Sequence, residues 1–356
     1  MEALSTTTTT LREPTSGESV IRATSHGRAL AAPLVLFGAA AGLYVGTWLG
    51  IFRVHGTARL VMSLLNGFFV GTLFVIAHDA CHGVFVSRRW LNPVLGRLAF
   101  LPSLHAFSFW ELVHNRLHHG WTNFKPKDYV WAPFSRTEFE RLGWARRLVE
   151  RVGRTAFGVA LHYIVVIWWS RLAFPDTADR ERVGPGGRLD RFSVLAFFGV
   201  ETLLAFELES RRGGPPVVCA LDSFALGVAI PFLFFSWLIG LVTFLHHNNE
   251  RVRWYDRRED WSFAKSSLSG TVHVAPPKVV DLLLLNIMFH TAHHVDTGIP
   301  LYRLPRAQSA LEASSGGQVV RVRFTVGGML ATLRRCKLYD YRRHRWLDFA
   351  GNPTTE

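Results

Sequence analysis

RLVMSLLNGFFVGTLFVIAHDACH, running from Arg59 to His82, joins two signals in one stretch. Leu60–Ala77 is uncharged and almost wholly apolar, close to the roughly 20 residues a membrane-crossing helix needs. Its far end carries His78 and His82. Residues four apart share a helix face, so this segment delivers two imidazoles to one membrane surface. Two further clusters follow: His114-Asn115-Arg116-Leu117-His118-His119 and His290-Thr291-Ala292-His293-His294. Together the three hold eight of the sixteen histidines, far beyond chance placement. Neutral imidazole suits zinc, copper, iron and nickel. Eight are too many for one tetrahedral zinc but fit a pair of metals.

Two other long apolar runs lie in the chain of 356 residues, Ala29–Phe52 and Val217–Leu245, the latter interrupted only by Asp222. This is the pattern of a polytopic membrane protein. Ala29–Phe52 is too long for a cleaved signal peptide and lacks a small-residue cleavage site before a mature domain. Residues 1–28 are rich in Thr, Ser and Glu and are expected to form a disordered tail. Cys81, Cys219 and Cys336 are far apart, which argues against a disulfide framework or a thiolate zinc site. The net charge of +13 comes with no nucleic-acid-binding module. Positive-inside bias and anionic lipid explain it first.

Charge also sets the expected orientation. Gly83–Thr155 carries twelve Lys or Arg, which makes that side cytoplasmic and, two spans earlier, the amino terminus too. If the clusters form one site they must share a side, so one of the three later apolar segments does not cross. Phe157–Leu172 is the choice: it is short, contains His162 and ends in Trp168-Trp169-Ser170-Arg171, which suits a helix lying at the headgroups. Phe192–Phe206 and Val217–Leu245 then form the second hairpin. The stretch after Leu245 holds sixteen Lys or Arg, in agreement. Leu91–Trp110, with Pro93 and Pro102, is read as interfacial or re-entrant, and Val279–Phe289 as interfacial.

The expected fold is therefore an all-α membrane protein: four transmembrane helices in two hairpins, interfacial helices, and a cytoplasmic cap carrying the histidine clusters. The membrane domain spans residues 29–310. Residues 311–356 form a cytoplasmic C-terminal extension, and near its start Val319–Val326 reads as a strand and Met329–Leu338 as a basic helix.

The ligand set narrows the chemistry. A zinc protease needs a glutamate inside H-E-x-x-H, and His78–His82 has Asp79 instead. Soluble di-iron bundles use Glu and Glu-x-x-His, which are absent. An all-histidine, membrane-bound, two-metal site is left.

The three boxes, in order and spacing, resemble those of the membrane fatty acid desaturases, in particular the acyl-lipid ω-6 (Δ12) branch. The flanking words Trp110-Glu111-Leu112-Val113-His114, Gly120-Trp121-Thr122-Asn123, Asp128-Tyr129-Val130-Trp131, Trp254-Tyr255-Asp256 and Ile299-Pro300-Leu301-Tyr302 carry the same resemblance, over about residues 30–310. It implies two irons that use O2 and two electrons to place a cis double bond in an acyl chain. The implied ligands are His78, His82, His114, His118, His119, His290, His293 and His294. Matched to the branch's Gln-His-Thr-His pattern, His247 becomes a ninth candidate, His246 takes the Gln position and Asn249 replaces the second His. Phe289 stands where the branch has an acid.

Asp79, His246 and Asn249 are candidate outer partners of the ligands, while His105, His162 and His273 are expected to be structural. The aromatic run Phe232–Phe244 is expected mainly to face lipid, with an acyl tunnel as the alternative. No fused cytochrome b5-type segment or ferredoxin-type cysteine set is visible. Electrons are thus expected from a separate ferredoxin-type protein and its reductase, in a bacterial inner membrane. A hydroxylase or acetylenase, a carotenoid ketolase or hydroxylase, and a metal-handling membrane protein are the competing readings.

Overall fold

The computed structural model describes residues 29–356; the tail, 1–28, lies outside the described residues. Helices α1 (Ala31–Ile51) and α2 (Thr57–Cys81) form the first hairpin. After α3 (Leu91–Phe100) comes α4 (Phe107–Trp110), which runs on as a π-helix over Glu111–His118. A short apolar rod follows, α5 (Val159–His162) with its π-helical continuation Tyr163–Ala173. Then come α6 (Pro185–Ser210), α7 (Pro216–Phe224), α8 (Ile230–His247) and α9 (His290–Val295). Helix α2 is central and packs on α1, α3 and α8.

Among the described residues, three rods are long and apolar enough to cross a membrane: α1, α2 and the continuous Pro216–His247. The molecule is a membrane protein. The expected span Phe192–Phe206 lies inside α6, which is longer, at 26 residues. Hydropathy alone does not group α6 with the other three because it carries several charges. Three of its carboxylates turn inward. Asp190 takes Arg97 of α3 at 2.7 Å and the backbone N–H of Ser108 at 2.8 Å. Glu201 pairs with the Tyr44 hydroxyl. Glu209 pairs with Arg59 at the start of α2. Helix α6 thus runs from beside the second histidine box to the far end of α2. There Arg212 reaches back to the Phe52 carbonyl, joining the turns of the two hairpins.

The Val159–Ala173 rod is about 22 Å long by its residue count, short of the ~30 Å hydrocarbon core. Leu91–Trp110 does not form one helix: it breaks between α3 and α4, where Leu104 adopts φ 57°. Of Val279–Phe289, only the start is helical, within Lys278–Leu283. Leu285 and Asn286, with φ of 51° and 63°, then turn the chain toward His290.

The all-α expectation needs one amendment. Strand β1 (Val272–Ala275) pairs in parallel with β2 (Val320–Arg323), Val272 facing Val320, and β3 (Leu338–Asp340) pairs antiparallel with β4 (Arg345–Leu347). The expected strand Val319–Val326 corresponds to β2. The basic helix begins earlier than expected, at Val326, because the Thr325 side chain accepts the Gly328 N–H and caps it. Residues beyond 310 pack closely on the rest: Arg154, itself buried, donates to the Cys336 carbonyl at 2.9 Å, and the Tyr339 N–H donates to the Phe134 carbonyl at 3.0 Å.

Close helix packing depends on small residues. A Cβ on Gly67 would stand 2.6 Å from the Pro231 carbonyl oxygen, and one on Gly240 2.6 Å from that of Val159. Gly67 and Gly71 form a G-x-x-x-G face that lets α2 meet α8. Between α7 and α8 a π-turn over Ala225–Ala229 sends the Ile230 N–H to the Ala225 carbonyl, leaving Leu226 without its usual donor. Pro231 has no N–H for Gly227. Both freed carbonyls are satisfied by neighbours: Ser63 Oγ donates to Leu226 at 2.7 Å and Trp48 Nε1 to Gly227 at 3.0 Å. No water is on hand in hydrocarbon to do this instead. Trp48→Phe keeps a ring but removes the donor. It should cost about 1–3 kcal/mol, seen as a lower Tm of the detergent-solubilised protein with helix content intact; an unchanged Tm would contradict this role.

Candidate metal centre

The histidines gather at the ends of α2 and α8, on the π-helix after α4, and on α9. They form two groups. His78, His82, His114, His119 and His293 make one; His118, His247, His290 and His294 make the other. Within each group one ligand atom per residue lies within 4.8 Å of every other. All eight box histidines are therefore brought together, and His247 joins them as the ninth.

Local backbone explains the division. His78 and His82 sit one turn apart at the end of α2, with the His82 N–H on the His78 carbonyl. His290 and His294, also four apart, face the second group, while His293 faces the first. Box 2 works differently. His114 and His119 are five residues apart and would diverge on an α-helix. Here the His119 N–H bonds the His114 carbonyl, closing a π-turn. That wider turn places the His119 and His114 Nε2 atoms 3.0 Å apart and leaves His118 between them for the other group. The three- and four-residue spacings alone miss this.

Most of these rings are fully buried. Burial first, then neighbouring imidazoles, holds His114, His119, His290, His293 and His294 well below the ordinary histidine range, and His82 is pushed down to about 3. They are neutral, the form that binds metal. Their nitrogens are also short of partners. His82 Nε2, His290 Nδ1 and His294 Nε2 are buried with none. His119 Nε2 meets both His114 and His293, at 3.0 and 3.1 Å, yet one ring nitrogen has a single lone pair or a single hydrogen to offer. A metal ion at each centre satisfies such lone pairs together. The donor set, all imidazole, fits first-row metals.

Several groups hold the rings in place. Asp128 is buried, and its Oδ1 lies 2.9 Å from His118 Nδ1. Its carboxylate also accepts the N–H groups of Asn123 and Val130. Thr122 Oγ1 lies 3.0 Å from His294 Nδ1. The Trp110 indole stacks on His114 at 4.8 Å. The Gln308 side-chain oxygen accepts the Ala292 N–H at 2.8 Å and anchors α9. Sequence spacing missed Asp128, which is ten residues beyond its partner; its only signal was the Asp128-Tyr129-Val130-Trp131 word.

Of the outer candidates, Asp79 is buried and accepts the Leu301 N–H at 3.4 Å. His246 is fully buried and stacks on His290 at 4.0 Å. The Asn249 side chain accepts the Arg251 N–H at 3.1 Å in the turn after α8, which ends at His247. His105 bridges Ser103 and Tyr163, His162 stacks on Trp131 at 3.9 Å, and His273 pairs with Glu312; none belongs to either group.

One apolar cavity reaches both groups. Its walls include Phe74, Tyr163, Phe235, Leu238 and Ile239, together with His78, His114, His118, His247 and His290. One face of the Phe232–Phe244 run therefore lines a cavity, whereas Phe244 packs on Trp131.

A family model described as fatty acid desaturase matches residues 55–325. The sn-1 oleoyl-lipid 12-desaturase of Picosynechococcus sp. is 31% identical over 316 residues, covering 86% of this chain and 85% of its own length. That of Synechocystis sp. is 28% identical, with 88% and 84% covered. An sn-1 acyl-lipid omega-3 desaturase (ferredoxin) of Nostoc sp. is 28% identical, with 72% and 68% covered. Apolar rods that end in two all-histidine groups beside an apolar cavity agree with these matches, and the chain belongs to the fatty acid desaturase family of oxidoreductases.

Proposed function

We propose that this protein places a cis double bond at the Δ12 (ω-6) position of a membrane-lipid acyl chain, using O2 and an all-histidine di-iron centre. The observation that carries the reading is the apolar cavity walled at one part by both histidine groups. The named activities of the Picosynechococcus and Synechocystis relatives support Δ12. In sum, a CH2–CH2 unit, O2, two electrons and two protons give CH=CH and two waters.

Iron, held by His78, His82, His114, His119 and His293 on one side and by His118, His247, His290 and His294 on the other, would supply the oxidising power that unactivated C–H bonds require. The chain's own residues do the rest. Phe74, Phe235, Leu238 and Ile239 hold the acyl chain and exclude water. Asp128 fixes the His118 tautomer by accepting its Nδ1–H, which frees Nε2 for metal. Thr122 does the same service for His294.

The reading extends to topology. α1, α2, α6 and the α7–α8 rod are the four spans, in two hairpins. The boxes, both termini and the cap are cytoplasmic, in a bacterial inner membrane. Residues 29–310 are the desaturase domain, and 311–356 a cytoplasmic extension docked on it. Electrons come from a separate ferredoxin-type protein with its reductase, as the Nostoc relative's name supports.

Expression in a host whose lipids carry only monounsaturated chains should yield a Δ9,12 diene on fatty-acid analysis; a hydroxy product instead would assign a hydroxylase. Purified protein should hold about two irons per chain, and His247→Ala should lower this toward one and abolish turnover, consistent with a four-ligand group losing one member. Full iron and full activity in that variant would remove His247 from the ligand set. Asp128→Asn should weaken metal binding roughly ten- to a hundredfold, measured by competition with a chelator.

A further inference from the structure

An aromatic cluster stands apart from the main core, on the surface behind the second histidine group. It consists of the buried Phe124, Tyr255 and Trp261, with Trp121 partly buried at its edge. Trp121 and Trp261 stack at 5.2 Å and 28°. The segment is pinned: Phe124 bridges to Tyr255, the Lys125 N–H bonds the Tyr255 carbonyl at 2.9 Å, and the Tyr255 N–H bonds that of Asn123 at 3.0 Å.

Three cations surround the cluster. The Arg258 guanidinium lies over both Trp121 and Trp261, at 5.6 and 4.9 Å. Lys127 lies over Trp121 and Lys265 over Tyr255, each at 5.8 Å. Nearby Arg257 is neutralised by Glu259 and Asp260. Among the described residues, by contrast, Lys127, Arg258 and Lys265 have no carboxylate within 4.0 Å. Three exposed cations without carboxylate partners, set over the partly buried Trp121 and the buried rings beneath it, suit a protein partner with an acidic face.

The cluster is also wired inward. Trp261 Nε1 donates to the Thr122 carbonyl at 2.9 Å. The hydroxyl of the same threonine lies 3.0 Å from His294 Nδ1. One residue therefore links the buried Trp261 indole, stacked on the partly buried Trp121, to a histidine of the second metal group, through two hydrogen bonds and a few covalent bonds.

We propose that Trp121 and Trp261, beneath Arg258 and Lys127, form the docking point of an acidic one-electron carrier protein, whose electrons enter through Thr122 and His294. The proposal rests on the desaturase reading, which requires two electrons per double bond. Two reduced carriers each lose one electron in successive encounters; both electrons pass to the metal pair, and O2 is the final acceptor.

The test uses the full-length iron-loaded protein in zwitterionic lipid, with a reduced acidic [2Fe–2S] ferredoxin as donor. Lys127→Glu with Arg258→Glu should raise the KM for ferredoxin about tenfold at low salt and flatten its dependence on ionic strength. Iron content and the double-bond yield of a single turnover after reduction by dithionite should not change. Trp261→Phe should lower kcat with ferredoxin several-fold while leaving its KM and the dithionite yield unchanged. An unaltered ferredoxin KM in the double variant overturns the docking site, and an unaltered kcat in Trp261→Phe overturns the route. A defect that appears only in vesicles containing anionic lipid makes the patch a lipid contact and overturns the proposal. If the unaltered protein forms no double bond with either reductant, the desaturase reading itself fails, and the proposal with it.

Discussion

One turn of backbone decides how the histidines are shared. The i-to-(i−5) hydrogen bond between His119 and His114 widens the helix just where box 2 falls. It sends His114 and His119 to one centre and His118 to the other. An α-helix over the same residues would keep His114 beside His118 and turn His119 away from them. The ends of α2 and α8 and the short α9 then close on the two points that this turn defines. Because the rings are buried and several of their nitrogens lack partners, their lone pairs are costly to leave unmet, and ions bound at the two centres would meet them.

Much of this was legible in the sequence. Uncharged runs announce spans, since hydrocarbon tolerates little else, and histidines four apart at the end of a run announce a shared face. What stayed hidden is non-local. The π-turn has no signature in the H-x3-HH spacing. Asp128 meets His118 only because the loop through Thr122–Lys127 folds back. Helix α6 is masked by its charges, which count against a span until Asp190, Glu201 and Glu209 are each seen to have a partner. Asn249 stands where the family pattern has its second histidine, and the chain leaves the helix before reaching it.

Several polar groups at depth follow one rule. Each of them is met by a specific donor or acceptor, as with Trp48 and Ser63 on the carbonyls freed beside Pro231. The apolar cavity obeys the converse: its walls away from the histidines are almost wholly hydrocarbon and aromatic, which suits an acyl chain and gives water little to hold.

The parallel pairing of β1 with β2 has a consequence for how the molecule is made. The residues of the two histidine groups extend from His78 to His294, and the strand that buttresses the segment before α9 comes later still, at Val320–Arg323. Helices α1 and α2 leave the ribosome early, when no complete group exists to receive an ion. Filling such a site with metal would therefore be a late event in biogenesis, after the chain has been synthesised at least through His294.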